Sequence, residues 1–166
     1  MKKIIFFDGD GTLWYPSATK RSTPPHWVYK DLTITNPIAQ FIATPTAIET
    51  LRRLHELGVK AVLLSTSPLP EPAAIEQRTA IAKAVGVFDF LDAVHVAPEY
   101  VEGKGERILA LLDTYGIARK DALMVGDTYR WDYESAEKVG VDGLLIIFDY
   151  QQEYSPEVST RVIREL

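Results

Sequence analysis

The sequence predicts an α/β protein: a Rossmann-like open parallel sheet with helices on both faces. Short, fully apolar runs recur at Ile4–Phe7, Ala61–Leu64 and Ala122–Val125, the pattern of strands buried on both sides. Segments with helical spacing separate them, and alternation of strand and helix builds parallel βαβ units. Reactive side chains follow the runs directly, at Asp8, Ser65 and Asp127, and open parallel sheets bind ligands outside the carboxyl ends of their strands.

Taken in order, Met1-Lys2-Lys3 followed by Ile4–Phe7 has a faint leader-like look, but the apolar run stops at Asp8. Four residues are too short for a signal sequence or a membrane span, so the run reads as a buried strand. Residues 13–43 are rich in Pro, Ser and Thr, with Trp14, Tyr15, Trp27 and Tyr29, and lack a helical period. They read as a small flap after the first strand, with Val28–Ile34 as a short strand or hairpin arm. Thr44-Pro45 opens a helix as N-cap and first position. Ile48, Leu51, Leu54 and Leu57 form its apolar stripe and Gly58 its stop.

Ala61–Leu64 is the second strand, followed by a helix over about 71–85. Leu91–Val96 is a third, weaker strand. Lys104–Tyr115 reads as a helix with Ile108, Leu111, Leu112 and Tyr115 on one face. Ala122–Val125, a helix to Gly140 and a strand at Leu144–Phe148 complete the core, and the tail over 156–166 adds one short helix. The whole chain, 1–166, reads as one domain with the flap as its insert.

Composition narrows the function. At 166 residues, 46% hydrophobic and 25% charged, the chain suits a single soluble domain with a full core. A net charge of −5 argues against nucleic acid or anionic membrane as partner, since both attract a basic face. The absence of cysteine excludes disulfides, zinc–thiolate sites and a cysteine nucleophile, and fits a cytoplasmic protein. Oligomeric state reads as monomer or homodimer.

The candidate chemistry is spread over separate strand ends that converge on one edge. Asp8-Gly9-Asp10-Gly11-Thr12 suits a hard cation or, taken alone, a solvated turn. An EF-hand fails, because its sixth and twelfth positions hold Leu13 and Thr19 instead of Gly and Glu. Asp127 alone reads as a helix cap; facing Asp8 it reads as a partner in binding Mg²⁺, which takes a few carboxylates with waters and a phosphate. Asp132 reads equally as an orienter of metal-bound water or a helix-surface residue. Ser65 and Thr66 are phosphate donors or loop hydroxyls. Lys104, between Gly103 and Gly105, is a site cation or a solvated lysine. His26, His55 and His95 share no triad or metal spacing, and His55 reads as structural.

The order Asp-x-Asp-Gly-Thr after a first strand, Ser after a second, Lys, then Gly-Asp-x-x-x-x-Asp resembles the haloacid dehalogenase superfamily over about residues 2–148. The resemblance implies an Mg²⁺-dependent phosphatase in which Asp8 attacks phosphorus and forms an aspartyl-phosphate. Asp10 would be the general acid and base. Ser65, Thr66, Lys104 and the backbone at Gly9 would hold the phosphoryl group. Asp8, Asp127 and the Asp10 carbonyl would hold Mg²⁺, supported by Asp132 and Thr12.

A branch of the superfamily that breaks carbon–halogen bonds lacks the second Asp, so Asp10 favours phosphoryl transfer. The gaps between motifs leave no room for a full cap domain, and Asp-x-Asp-x-Thr-Leu-Trp is similar to the opening of the capless magnesium-dependent phosphatases. Those follow their second-strand Ser with Arg, where this chain has Thr66. The implied substrate is a small phosphorylated metabolite or a phosphotyrosine-like group, with the flap aromatics either stacking on it or packing the flap down. Arg130 and Trp131 also stand near the site. Alternatives are a phosphotransferase or mutase, and a non-hydrolytic receiver-like switch phosphorylated on Asp.

Overall fold

A computed structural model of the chain describes residues 1–98, 103–147, 161–164 and 166. The first apolar run forms β1 (Ile4–Phe7). Alternate side chains of a strand face opposite sides of a sheet. Ile5 and Phe7 accordingly enter a core with Leu51, Leu63 and Ile81, while Ile4 and Phe6 enter another with Val62, Leu64, Ile108 and Met124. A strand covered on both sides has no polar face, which explains the unbroken run.

From β1 the chain passes through Asp8–Thr12 into β2 (Trp14–Pro16), which pairs antiparallel with β3 (Phe41–Ala43) as the two-stranded flap. The single turn α1 (Trp27–Lys30) lies between them. The expected hairpin arm at Val28–Ile34 is thus replaced by β2 and β3. Those residues have no strand to pair with, so Val28 is buried from a helical turn instead, and tertiary packing overrides β-propensity.

Helix α2 (Ala47–Glu56) begins two residues after the expected Pro45. The Thr44 hydroxyl is committed to the Thr12 carbonyl, fastening the base of the flap rather than capping the helix. Leu51 is buried and Ile48 and Leu54 half-buried, but Leu57 lies beyond the helix end and is 54% exposed. His55, expected to be structural, is exposed.

Then follow β4 (Lys60–Ser67), α3 (Glu71–Ala84), β5 (Ala93–Pro98), α4 (Gly105–Tyr115) and β6 (Ala122–Gly126). β4 is longer than its apolar run, because Ser65, Thr66 and Ser67 still pair with Val96, Ala97 and Pro98. A π-helical turn (Tyr129–Glu134) leads into α5 (Ser135–Lys138), where the sequence suggested one helix. β7 (Asp142–Ile146) starts earlier than expected, and Phe148 lies outside the described residues. In the tail, Val162–Ile163 form β8 beside β7 rather than a helix; residues 156–160 are also outside the described set.

The sheet runs β5-β4-β1-β6-β7-β8, and every neighbouring pair is parallel. Numbered within the sheet alone, this order is 3-2-1-4-5-6, the doubly wound arrangement whose direction reverses at its first strand. The crevice at that reversal opens where β1, β4 and β6 end. Among the described residues no helix is long and apolar enough to cross a membrane.

Phe6 is fully buried in the centre of this sheet. Phe6→Ala is expected to cost about 3–5 kcal/mol, read as a lower urea midpoint with an unchanged slope.

Candidate active site

Asp8 extends β1 by one step, its N–H donating to the Val125 carbonyl at 2.9 Å. Its carboxylate meets the Lys104 ammonium in an ion pair, and the Ser65 hydroxyl donates to it at 3.3 Å. Lys104 is 1% exposed, so it is a site cation and not a solvated lysine. The same ammonium reaches Asp132 Oδ1 at 2.6 Å. Burial alone would lower the Lys104 pKa, but Asp132 and Asp8 outweigh it and raise it.

The loop carrying Lys104 can lie this deep because Gly103, at φ +84, has no side chain; a Cβ there would sit 2.4 Å from Ser135 Cβ. The Lys104 N–H then donates to Ser135 Oγ and to the Trp131 carbonyl, each at 3.1 Å.

Asp127 follows β6, and the π-helical turn brings Asp132 back toward it. Asp132 Oδ2 accepts from the Thr128 N–H at 3.0 Å and from its hydroxyl at 2.7 Å. Gly126 makes room, since a Cβ on it would stand 2.2 Å from the Asp132 carboxylate. Asp132 is therefore buried, and the helix-surface reading falls. One carboxylate oxygen from each of Asp8, Asp127 and Asp132 lies within 4.8 Å of the others, so the three carboxylates adjoin one another.

Asp10 is held differently. Its Oδ1 accepts from Trp14 Nε1 at 2.8 Å and from the Tyr29 hydroxyl at 2.9 Å. Its Oδ2 pairs with the Arg78 guanidinium at 2.7 Å. Arg78 also donates to the Tyr29 oxygen at 2.7 Å and to the Thr66 carbonyl at 3.2 Å. Burial and then Asp10 raise the Tyr29 hydroxyl well above its ordinary range, so it stays a donor.

Arg78 escaped the sequence reading. Its one signal is position: it shares a helical face with buried Ala74, Ile81 and Ala82, where an unpaired guanidinium would be costly. His26 was dismissed for want of spacing, yet it lines the site.

A cavity of about 150 Å³ is lined by Asp8, Asp10, His26, Ser65, Thr66, Lys104, Asp127, Thr128 and Trp131. Gly9 does not line it; its N–H is turned to Ser65 Oγ at 3.3 Å. Thr12 is fully buried, and its hydroxyl has no hydrogen-bond partner among the described residues. Trp14 and Tyr15, on β2 of the flap, are buried, Tyr29 lies 5.6 Å from the Phe41 ring, and Trp27 lines a shallow groove that shares His26 with the cavity. Packing thus accounts for most flap aromatics. The exposed Arg130 lies 5.8 Å from the Trp131 ring centre.

Among the described residues the buried charged side chains are Asp8, Asp10, Asp127 and Asp132 against Lys104 and Arg78, an excess of two negative charges. Burial pushes the Asp8 carboxyl up to about 6, with Lys104 pulling it down and Asp132 and Asp10 pushing it further up. A divalent cation would balance the excess, and carboxylate oxygens suit a hard one.

A family model for haloacid dehalogenase-like hydrolases matches residues 25–140. The chain belongs to that family. The match includes Ser65, Lys104, Asp127 and Asp132 and starts after the Asp8–Asp10 loop. Several solved structures share the fold. A HAD phosphatase from Thermococcus onnurineus is 18% identical with a TM-score of 0.71, covering 99% of this chain and 94% of that one. A HAD-superfamily hydrolase from Ehrlichia chaffeensis is 15% identical with a TM-score of 0.67, covering 99% and 93%. A protein from Listeria monocytogenes serotype 4b is 21% identical with a TM-score of 0.70, covering 98% and 92%. No curated protein sequence matches the chain significantly.

Because the folded Asp8 pKa of about 6 lies above the ordinary 3.8, the stability it contributes is complete below that lower value and is lost as pH rises through about 6. In EDTA, the thermal midpoint of the wild type relative to Asp8→Asn is expected to fall as pH rises from 3.8 to about 6. A difference that stays flat or rises would contradict the buried charge excess.

Proposed function

We propose that this haloacid dehalogenase-like hydrolase is a phosphomonoester phosphatase working through an aspartyl-phosphate on Asp8. The observation that carries the reading is the buried excess of two negative charges at the sheet's carboxyl edge, beside a cavity sized for a phosphoryl group. The Thermococcus onnurineus phosphatase supports it by shared fold.

Magnesium fits the oxygen donors of Asp8, Asp127 and the Asp10 carbonyl, and bound there it would screen the repulsion between carboxylate and phosphate. The chain's own residues do the rest. Lys104 holds Asp8 in place and offers its charge to the phosphoryl oxygens, while Asp132 fixes Lys104. Ser65 and the Thr66 backbone and hydroxyl face the same oxygens. An Asp8 oxygen bonds to phosphorus as the bond to the leaving oxygen breaks, and Asp10 gives that oxygen a proton. Water then attacks phosphorus, Asp10 takes its proton, and inorganic phosphate leaves with Asp8 restored.

On this reading the cavity of about 150 Å³ seats the phosphoryl group, and His26 and Trp131, which also line it, would meet the remainder of the substrate. This suits a small metabolite or an exposed phosphotyrosine-like group, in a cytoplasmic setting. A phosphotransferase or mutase must keep water out, and the insert after β1 is a two-stranded hairpin with one helical turn, smaller than a cap domain. Receiver switches have the order 2-1-3-4-5, unlike the 3-2-1-4-5-6 order of this sheet.

Phosphate release from p-nitrophenyl phosphate and a panel of phosphorylated metabolites is expected to require Mg²⁺, stop in EDTA and vanish in Asp8→Asn. Hydrolysis that persists in Asp8→Asn would sink the mechanism. Ser65→Ala is expected to lower kcat/KM by roughly a hundredfold, as loss of one aligned donor does. Mg²⁺ at about 100 times its Kd should stabilise the fold by about 2.7 kcal/mol, visible as a higher thermal midpoint.

A further inference from the structure

We propose that Arg78 and Tyr29 are positioning residues for Asp10, setting the orientation in which it passes its proton to the leaving oxygen and coupling that orientation to the flap. The inference rests on the reading of Asp10 as general acid and base.

An Asp side chain turns about two bonds, and a donor on one oxygen leaves the plane of the carboxylate free to swing. In this site both oxygens are engaged from different directions. Trp14 and Tyr29 hold Oδ1 at 2.8 and 2.9 Å, and Arg78 holds Oδ2 at 2.7 Å. The Tyr29 hydroxyl also lies 3.2 Å from Oδ2, so the plane of the carboxylate is fixed where Asp10 lines the cavity.

The two residues anchor Asp10 to different parts of the molecule. Arg78 belongs to α3, and its second nitrogen donates to the Thr66 carbonyl at the end of β4 at 3.2 Å, which ties Asp10 to the rigid sheet. Tyr29 belongs to α1 of the flap, and its ring rests 5.6 Å from Phe41 on β3. The 2.7 Å bond from Arg78 to the Tyr29 oxygen closes the triangle. A shift of the flap therefore moves a donor on the proton-carrying group.

Stability does not account for this arrangement. A buried arginine–carboxylate pair is commonly matched or bettered by apolar side chains of similar volume. Arg78 Nε, moreover, is buried without a hydrogen-bond partner among the described residues, so the guanidinium is placed to suit the Asp10 end at the expense of its own satisfaction. The neighbours on its helical face, Ala74, Ile81 and Ala82, are apolar.

The test separates positioning from structural support by varying the leaving group. p-Nitrophenolate departs without a proton, whereas an alkoxide needs one. kcat/KM reports only steps through formation of the aspartyl-phosphate, so p-nitrophenyl phosphate and n-propyl phosphate are compared for the wild type, Asp10→Asn, Arg78→Met, Tyr29→Phe and the doubles with Asp10→Asn. Arg78→Met and Tyr29→Phe are expected to lower kcat/KM about tenfold to a hundredfold for the alkyl ester and under about threefold for the aryl ester, a fraction of what a whole general acid supplies. Neither should change the ratio further on the Asp10→Asn background, since residues acting through one group do not add.

Equal losses on both esters, no loss on either, or full additivity with Asp10→Asn would overturn the proposal. If Asp10→Asn itself shows no dependence on the leaving group, the general-acid reading fails and this proposal with it. If Asp10→Asn shows the dependence and the other two variants do not, only this proposal fails. Tyr29→Phe keeps the ring against Phe41, so it decides the matter alone should Arg78→Met not fold.

Discussion

The ammonium of Lys104 lies buried between the carboxylates of Asp8 and Asp132, and this bridge sets conditions that the surrounding chain must meet. A lysine stem can reach the sheet edge only if its loop lies against α5, and Gly103 permits that approach. Asp132 can reach the same ammonium only if the segment after β6 turns back on itself, and Gly126 leaves room for it. Buried charges of this kind are costly unless paired and hydrogen-bonded. The Thr128 hydroxyl and backbone N–H are spent on satisfying Asp132, while Ser135 Oγ holds the Lys104 backbone and the Trp131 carbonyl together.

Seen from the bridge outward, the fold is an arrangement for bringing distant carboxylates closer than their repulsion would allow. β1 delivers Asp8, β6 delivers Asp127, and the sheet order puts these strands side by side. On the proposed function, their shared charge excess would attract a cation, and with it the phosphate that a site of four carboxylates would otherwise repel.

Much of this was legible in the sequence because strands covered on both faces must be apolar throughout, and loops at their ends need not be. Asp8, Ser65, Lys104 and Asp127 stood out as polar residues directly beyond such runs or between glycines. Elements on the periphery were harder. Val28–Ile34 has strand composition, but composition does not reveal that β2 and β3 have already paired with each other. Arg78 was hidden because a helix face is read by its apolar members, and one arginine among alanines and isoleucine resembles a break in the stripe. Only the fold shows what it reaches. Asp132 was ambiguous for a related reason: an α-helical count of residues after Asp127 misplaces it.

That last point bears on how the site tolerates change in chain length. The turn over Tyr129–Glu134 holds one residue more per turn than an α-helix. Regularising it to an α-helix of the same number of residues would rotate everything downstream by about 100° about the helix axis. α5 would have to turn its Ser135–Ala136 face away from the Lys104 loop, or Asp132 would turn away from the cluster. The extra residue thus acts as a register mark, keeping the part of the segment that faces the charge and the part that faces the core in phase.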